Sequence, residues 1–202
     1  MVIAMDMPGE RDKHAWRTEI LARRAAKTAE EYAADALALA AAVDGLDVGE
    51  WVCAYVPVRG EPGSTGLLDA LRVAGARVLV PVTGPPGPLN WAEYTGRESL
   101  RRARFGLLEP AGETLPVSAI RSAELILVPA LAVDRRGVRL GRGAGYYDRT
   151  LAAARPDARL VAVVGDDELV PRLPEEPHDR RMAWALTPRG GLQRLGEDHA
   201  VE

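Results

Sequence analysis

Cysteine, phenylalanine and long apolar runs are nearly or wholly missing from this 202-residue chain, and each absence removes a class of protein. The lone Cys53 excludes an internal disulfide, and its place inside the apolar run Trp51 to Val56 makes it a small buried hydrophobe rather than a nucleophile. A single Phe and 5% aromatics against 47% apolar residues mean an aliphatic core rich in Val, Leu and Ala. No stretch approaches the roughly 18 apolar residues of a membrane span. The opening MVIAMDMPGERDK is too short and too acidic for a secretory signal, so a cytoplasmic protein is expected. His14, His178 and His199 have no Cys or His partners at ligand spacing, which excludes a readable zinc site, and no Ser/His/Asp triad is spelled by spacing. A net charge of −3 argues against general nucleic-acid binding, despite local clusters at Arg101, Arg102, Arg104 and Arg135.

What is present is organised as alternating helical and strand-like segments. Lys13 to Val43 is rich in Ala, Leu, Arg and Glu without Gly or Pro, which predicts one long helix or two broken ones, ended by Gly45. Apolar runs follow at Trp51 to Val56, Ala76 to Val82, Leu125 to Val133, Leu160 to Val164 and Met182 to Leu186. Helical stretches lie at Gly66 to Ala74 and Tyr146 to Ala154, the latter limited by Pro156. Continuous rather than alternating strands imply a sheet covered on both faces. The expectation is a single α/β domain over residues 13–195, three layers α/β/α around a mostly parallel open sheet, with flexible ends at 1–12 and 196–202. TGPPGPLN, Thr83 to Asn90, reads as a loop, and NWAEY after it as an edge strand or a pocket wall.

The most informative segment is RLGRGAGYYDR, Arg139 to Arg149. Glycines 141, 143 and 145 leave backbone amides bare beside arginines, between a buried strand and a helix, which is the build of an anion cradle. The spacing G-x-G-x-G is not the Rossmann G-x-G-x-x-G, and no G-x-x-x-x-G-K-S/T occurs. A glycine-rich surface turn is the competing reading. An open parallel sheet binds ligands at the carboxyl ends of its strands, where this loop and the turn after the first strand should both lie.

The stretch LVPALAVDRRGVRLGRGAGYYDR resembles the signature of the 5-formyltetrahydrofolate cyclo-ligase family. AYVPVRGEPGS around Glu61, FGLLEP at Phe105 to Pro110, HDRRMAWALTP from His178 and the basic N-terminal helix agree in order, so the likeness covers nearly the whole chain from about Lys13. Two departures are Ala144, where the family commonly has glycine or lysine, and Pro62 after Glu61, where it has an aliphatic residue. The resemblance implies ATP- and magnesium-dependent conversion of 5-formyltetrahydrofolate to 5,10-methenyltetrahydrofolate, with ADP and phosphate released. It implies nucleotide contacts from Lys13, His14, Ala15, Trp16 and Arg17, and from Arg139, Leu140, Gly141, Arg142, Gly143, Ala144, Gly145, Tyr146 and Tyr147. Arg142 and Tyr146 take catalytic roles, Val56, Glu61 and Trp91 the folate, and Asp148 and Asp179 magnesium. No nucleic acid or membrane partner is implied, and a monomer is expected.

Each of these residues has a plainer reading from the residues alone. Lys13 and Arg17 form an ordinary solvated basic face, Asp148 a first-turn carboxylate favoured by the helix dipole, Glu61 a loop acid, and Trp91 a packed indole. Asp134 belongs to a turn and is read as structural. A relative acting on another phosphorylated metabolite, or a non-catalytic nucleotide or folate sensor, remains open at this level.

Overall fold

The computed structural model describes residues 11–82, 84–102 and 108–196. The Asp12 carboxylate accepts from the Ala15 amide at 2.7 Å and starts α1 (Lys13–Ala26), which stops as Lys27 turns extended. Thr28 and Glu31 close a reciprocal capping box that starts α2 (Ala29–Ala41). The alanine-rich segment is therefore two helices. Along the chain follow β1 (Trp51–Cys53), α3 (Thr65–Val73), β2 (Arg77–Val82), β3 (Asn90–Tyr94), β4 (Leu100–Arg102) and β5 (Leu108–Pro110). Then come β6 (Leu125–Pro129), β7 (Ala132–Asp134), β8 (Arg139–Leu140), α4 (Tyr146–Leu151), β9 (Arg159–Val163), β10 (Leu169–Val170), β11 (Trp184–Thr187) and β12 (Gly191–Arg194). Most of the expected flexible ends, Thr83, and Arg104 to Leu107 of the FGLLEP region lie outside the described residues.

Seven strands form the main sheet in the order β12-β11-β9-β6-β1-β2-β3, parallel from β11 through β2 and antiparallel at the two edges. Alternate strand residues feed opposite faces. Val52, Val78, Leu125, Leu127, Val161 and Val163 pack under Leu39 of α2 and Leu67, Leu68 and Leu71 of α3. Cys53, Leu79, Ile126, Val128, Leu160 and Ala162 pack against Ile120, Ala123 and Leu151 on the other side. This is the three-layer α/β/α arrangement, and it explains why the strands read as unbroken apolar runs.

Two expectations change in detail. LILVPALAV is two strands, not one: β6 ends at Pro129, which has no N–H to continue the ladder, and β7 joins a separate sheet of order β10-β7-β8. The helix after the glycine loop spans Tyr146–Leu151 and does not reach Ala154. Such a short helix has little macrodipole to offer, so charge for an anion must come from side chains and loop amides.

The small sheet is tied down by Asp134, which is fully buried. Its carboxylate accepts from the amides of Val138 and Leu173, each at 2.9 Å, and from the Arg136 guanidinium at 3.0 and 2.8 Å. This sets the β7–β8 turn that delivers Arg139. Asp134→Ala strands those buried amides and should lower stability by about 3 kcal/mol in a urea titration. Arg136→Gln, at a side chain a quarter exposed, should lose clearly less.

Candidate active site

The carboxyl ends of β1, β2 and β6 open onto a cavity of about 350 Å3. Tyr55 and Val56 follow β1, Pro81 closes β2, and Pro129, Ala130 and Leu131 follow β6. The glycine loop forms one wall. Gly143 and Gly145 have φ of +101° and +68°, a region that favours glycine, while a Cβ on Gly141 would stand 2.8 Å from Nη1 of Arg139. The three glycines thus serve two needs: two set the bend, and one lets an arginine pass. Ala144 lies exposed on the bend.

α1 forms the wall facing this loop. Nε of Arg17 donates to the Gly141 carbonyl at 3.0 Å, and Lys13 Nζ reaches Asp179 and Glu176, each at 2.8 Å. Burial works against ionisation of Asp179, but the Lys13 ammonium and the Glu176 amide outweigh it and hold its carboxyl below the usual range. Arg139 is buried, donates through Nη2 to Asp148 at 2.7 Å, and has its Nε buried without an acceptor among the described residues. Arg142 reaches over the cavity with its side chain 48% exposed, its Nε 3.4 Å from the Glu61 carboxylate. Glu61 also accepts from the Val58 amide at 3.1 Å. Tyr55 donates to the Pro62 carbonyl at 2.7 Å and stiffens the same turn. Burial first, then the Glu61 charge, pushes the phenols of Tyr55 and Tyr147 well above their ordinary value, so both stay protonated donors.

Lys13, Arg17, Val56, Glu61, Arg139, Leu140, Tyr146, Tyr147, Asp148 and Asp179 thus border one cavity together with the loop from Gly141 to Gly145. Three expected nucleotide contacts do not: His14 and Ala15 point to solvent, and Trp16 packs on the Ile20 cluster while stacking under Arg11 at 4.6 Å. Helical geometry explains it, because only the face bearing residues 13 and 17 meets the loop. Trp91 is the clearest correction. It is fully buried in the sheet's second core, with no place on the cavity, and its Nε1 has no acceptor among the described residues. Asp148 and Asp179, both expected at magnesium, each face a cation; the donor group within 4.8 Å is Asp179 with Glu176 and His178, without Asp148.

Two residues were missed. Arg24 lines the cavity from α1, eleven residues after Lys13, a spacing that a helical stripe through 13, 17, 20 and 24 makes visible. Glu176 carries no signal beyond its nearness to His178.

The sequence model of the 5-formyltetrahydrofolate cyclo-ligase family matches residues 9–188. A 5-formyltetrahydrofolate cyclo-ligase of Mycolicibacterium smegmatis is 49% identical over 191 residues, covering 92% of this chain and 98% of that one. The chain belongs to the 5-formyltetrahydrofolate cyclo-ligase family. Another cyclo-ligase, from Escherichia coli K12, is 31% identical over 68% of this chain and 77% of its own length. The solved 5,10-methenyltetrahydrofolate synthetase of Aquifex aeolicus superposes with a TM-score of 0.74 at 24% identity, covering 94% of this chain and 96% of that one, and so shares the fold. As a cyclo-ligase family member the chain is a ligase-type enzyme, and an unrelated sensor role is set aside. Among the described residues, no helix of this cyclo-ligase is long and apolar enough to cross a membrane.

The placement of Trp91 has a direct check. Trp91→Ala should lower stability by about 3 to 5 kcal/mol, as deletion of a buried indole does. The KM for folate measured on the folded protein should stay within about twofold of wild type.

Proposed function

We propose that this enzyme closes 5-formyltetrahydrofolate to 5,10-methenyltetrahydrofolate at the expense of ATP, with nucleotide phosphates on the glycine loop and the pterin at Glu61. One observation carries the reading. A cavity at the strand ends is ringed by Lys13, Arg17, Arg139 and Arg142, and the Arg139 Nε is buried there with no acceptor among the described residues. A polyanion, which brings several charged acceptor oxygens at once, suits these donors better than a neutral ligand.

A formyl oxygen is a poor leaving group, and transfer of the γ-phosphoryl group to it releases ADP and makes an electrophilic iminium phosphate. The folate N10 then attacks the formyl carbon and loses its proton, and the carbon–oxygen bond breaks as phosphate departs. No nucleophile of the protein is needed, in keeping with protonated Tyr55 and Tyr147 and a buried Cys53. The protein's task is alignment and charge: Lys13 and Arg17 on one wall, Arg139 and Arg142 on the other, loop amides between. Tyr146, at the start of α4 on the cavity wall, is assigned to orient the reacting groups.

The metal follows the same logic. The carboxylates of Asp179 and Glu176 are hard oxygen donors suited to magnesium, the His178 nitrogen is not, and Asp148 supplies a further carboxylate on the loop side. When bound, magnesium neutralises phosphate charge. The need for ATP supports a cytoplasmic setting.

Formation of the methenyl chromophore from 5-formyltetrahydrofolate, with and without ATP, tests the assignment; ATP-independent or absent product would refute it. Arg142→Ala should slow turnover about a hundredfold at saturating ATP while leaving the melting temperature unchanged, because this exposed arginine supports charge rather than packing. Asp179→Asn should raise the magnesium concentration for half-maximal rate about tenfold, whereas an equal requirement would place the metal elsewhere.

A further inference from the structure

Lys13, Arg17, Ile20 and Arg24 form one stripe of α1, about 16 Å long at 1.5 Å per residue. Ile20 anchors it by packing into the small-sheet core with Leu131, Val138 and Leu140. Lys13 and Arg17 meet the glycine loop, and Arg24 lies about two helical turns further along the same cavity. Glu61, which Arg142 of the loop reaches at 3.4 Å, also borders this end of the stripe. The Tyr32 hydroxyl donates to the Arg24 carbonyl at 2.8 Å and stands 3.8 Å from where a Cβ on Gly60 would lie, so this turn of α1 sits beside Gly60 and Glu61. Burial opposes the Arg24 charge, but Glu168 and then Glu61 outweigh it and raise its pKa, in agreement with that placement.

The Arg24 guanidinium is held rigidly. Nε and Nη2 donate to the two Glu168 oxygens at 2.6 and 2.7 Å, Nη2 also to the Ala130 carbonyl at 2.7 Å, and Glu168 is fixed in turn by the Gly165 amide at 2.6 Å. Nη1 takes no partner among the described residues, in a side chain that borders the cavity. A buried ion pair adds little net stability by itself, so its position on the cavity asks for a second explanation.

The substrate supplies one. The 2-amino-4-oxopyrimidine edge of a pterin presents two N–H donors, on the 2-amino group and N3, followed by one acceptor, O4. A carboxylate can only accept and serves the first two; O4 needs a donor next to it. We propose that Arg24 is a specificity-determining residue that donates to the 4-oxo group while Glu61 accepts from the 2-amino and N3–H groups, with Glu168 and the Ala130 carbonyl as the positioning partners of Arg24. The proposal rests on the pterin lying at Glu61.

The test compares 5-formyltetrahydrofolate with its 4-amino counterpart, in which the 4-position becomes a donor and N3 loses its hydrogen, by calorimetric titration of the full chain. The change at N3 faces Glu61 alike in every protein compared, so the difference between wild type and an Arg24 variant reads the 4-position. Wild type should prefer the 4-oxo ligand by about a hundredfold, since a site built for one hydrogen-bond pattern rejects the inverted one. Arg24→Met should cut that preference by about tenfold or more, by weakening the 4-oxo ligand and relieving the donor–donor clash with the 4-amino one. Because Arg24→Met alone leaves Glu168 buried and uncompensated, the double variant Arg24→Met with Glu168→Leu provides an apolar replacement that keeps the fold, and it should show the same loss of preference. Equal weakening of both ligands, with the preference intact, would overturn the proposal and leave Arg24 a structural residue. If Glu61→Gln leaves 5-formyltetrahydrofolate binding unchanged, or wild type binds neither ligand, the pterin is not at Glu61 and both readings fall together.

Discussion

Like-charge repulsion inside one small cavity is the constraint around which this cyclo-ligase is arranged. Lys13, Arg17, Arg24, Arg139 and Arg142 border about 350 Å3 of space, and before a ligand arrives four of them already hold a carboxylate: Asp179, Glu168, Asp148 and Glu61 respectively for Lys13, Arg24, Arg139 and Arg142. Arg17 is held by a loop carbonyl instead. Without these partners, gathering five cations in a partly desolvated site would destabilise the fold. With them, each of those four cations is held at the cavity wall by an oppositely charged partner.

Much of this was legible in the linear chain. The unbroken apolar runs at Leu125 to Val128 and Leu160 to Val164 announced strands buried on both faces, and the glycine alternation at 141, 143 and 145 announced the bent loop that walls the cavity. Local signals were also present but easily passed over: Thr28 followed by Glu31 is a capping box, and it marks the break between α1 and α2 inside an otherwise uniform alanine-rich stretch. Other features are not local at all. Nothing in LILVPALAV shows that Ala132 leaves the main sheet, since both halves are equally apolar and only tertiary pairing separates them. Trp91 could be a stacking platform or a core residue by composition; which face of β3 it occupies is decided by the register with β2. Glu176 meets Lys13 across a separation of 163 residues, a distance at which spacing carries no information.

The resemblance helped unevenly. It named the motifs that converge, but a motif written as a contiguous run includes residues that merely accompany the functional ones. His14, Ala15 and Trp16 do not border the cavity, because a helix turns successive side chains about 100° apart and offers the cavity only part of its circumference. The same geometry adds Arg24, which no contiguous run includes.

The docking of α1 carries a further consequence for how the enzyme comes into being. Lys13 and Arg24 are completed by Asp179 and Glu168, and Arg17 and Ile20 by Gly141 and the small-sheet core, so this helix finds its partners more than a hundred residues further along the chain. A chain still growing on the ribosome has β1, β2 and α3 available to condense, yet this wall of the cavity must wait, unmatched, until the segments that bear its partners have emerged. Contacts of such long range close late and slowly. The cavity should therefore be completed after the sheet has condensed, and be the first part to open when the segment carrying Glu168 and Asp179 loosens.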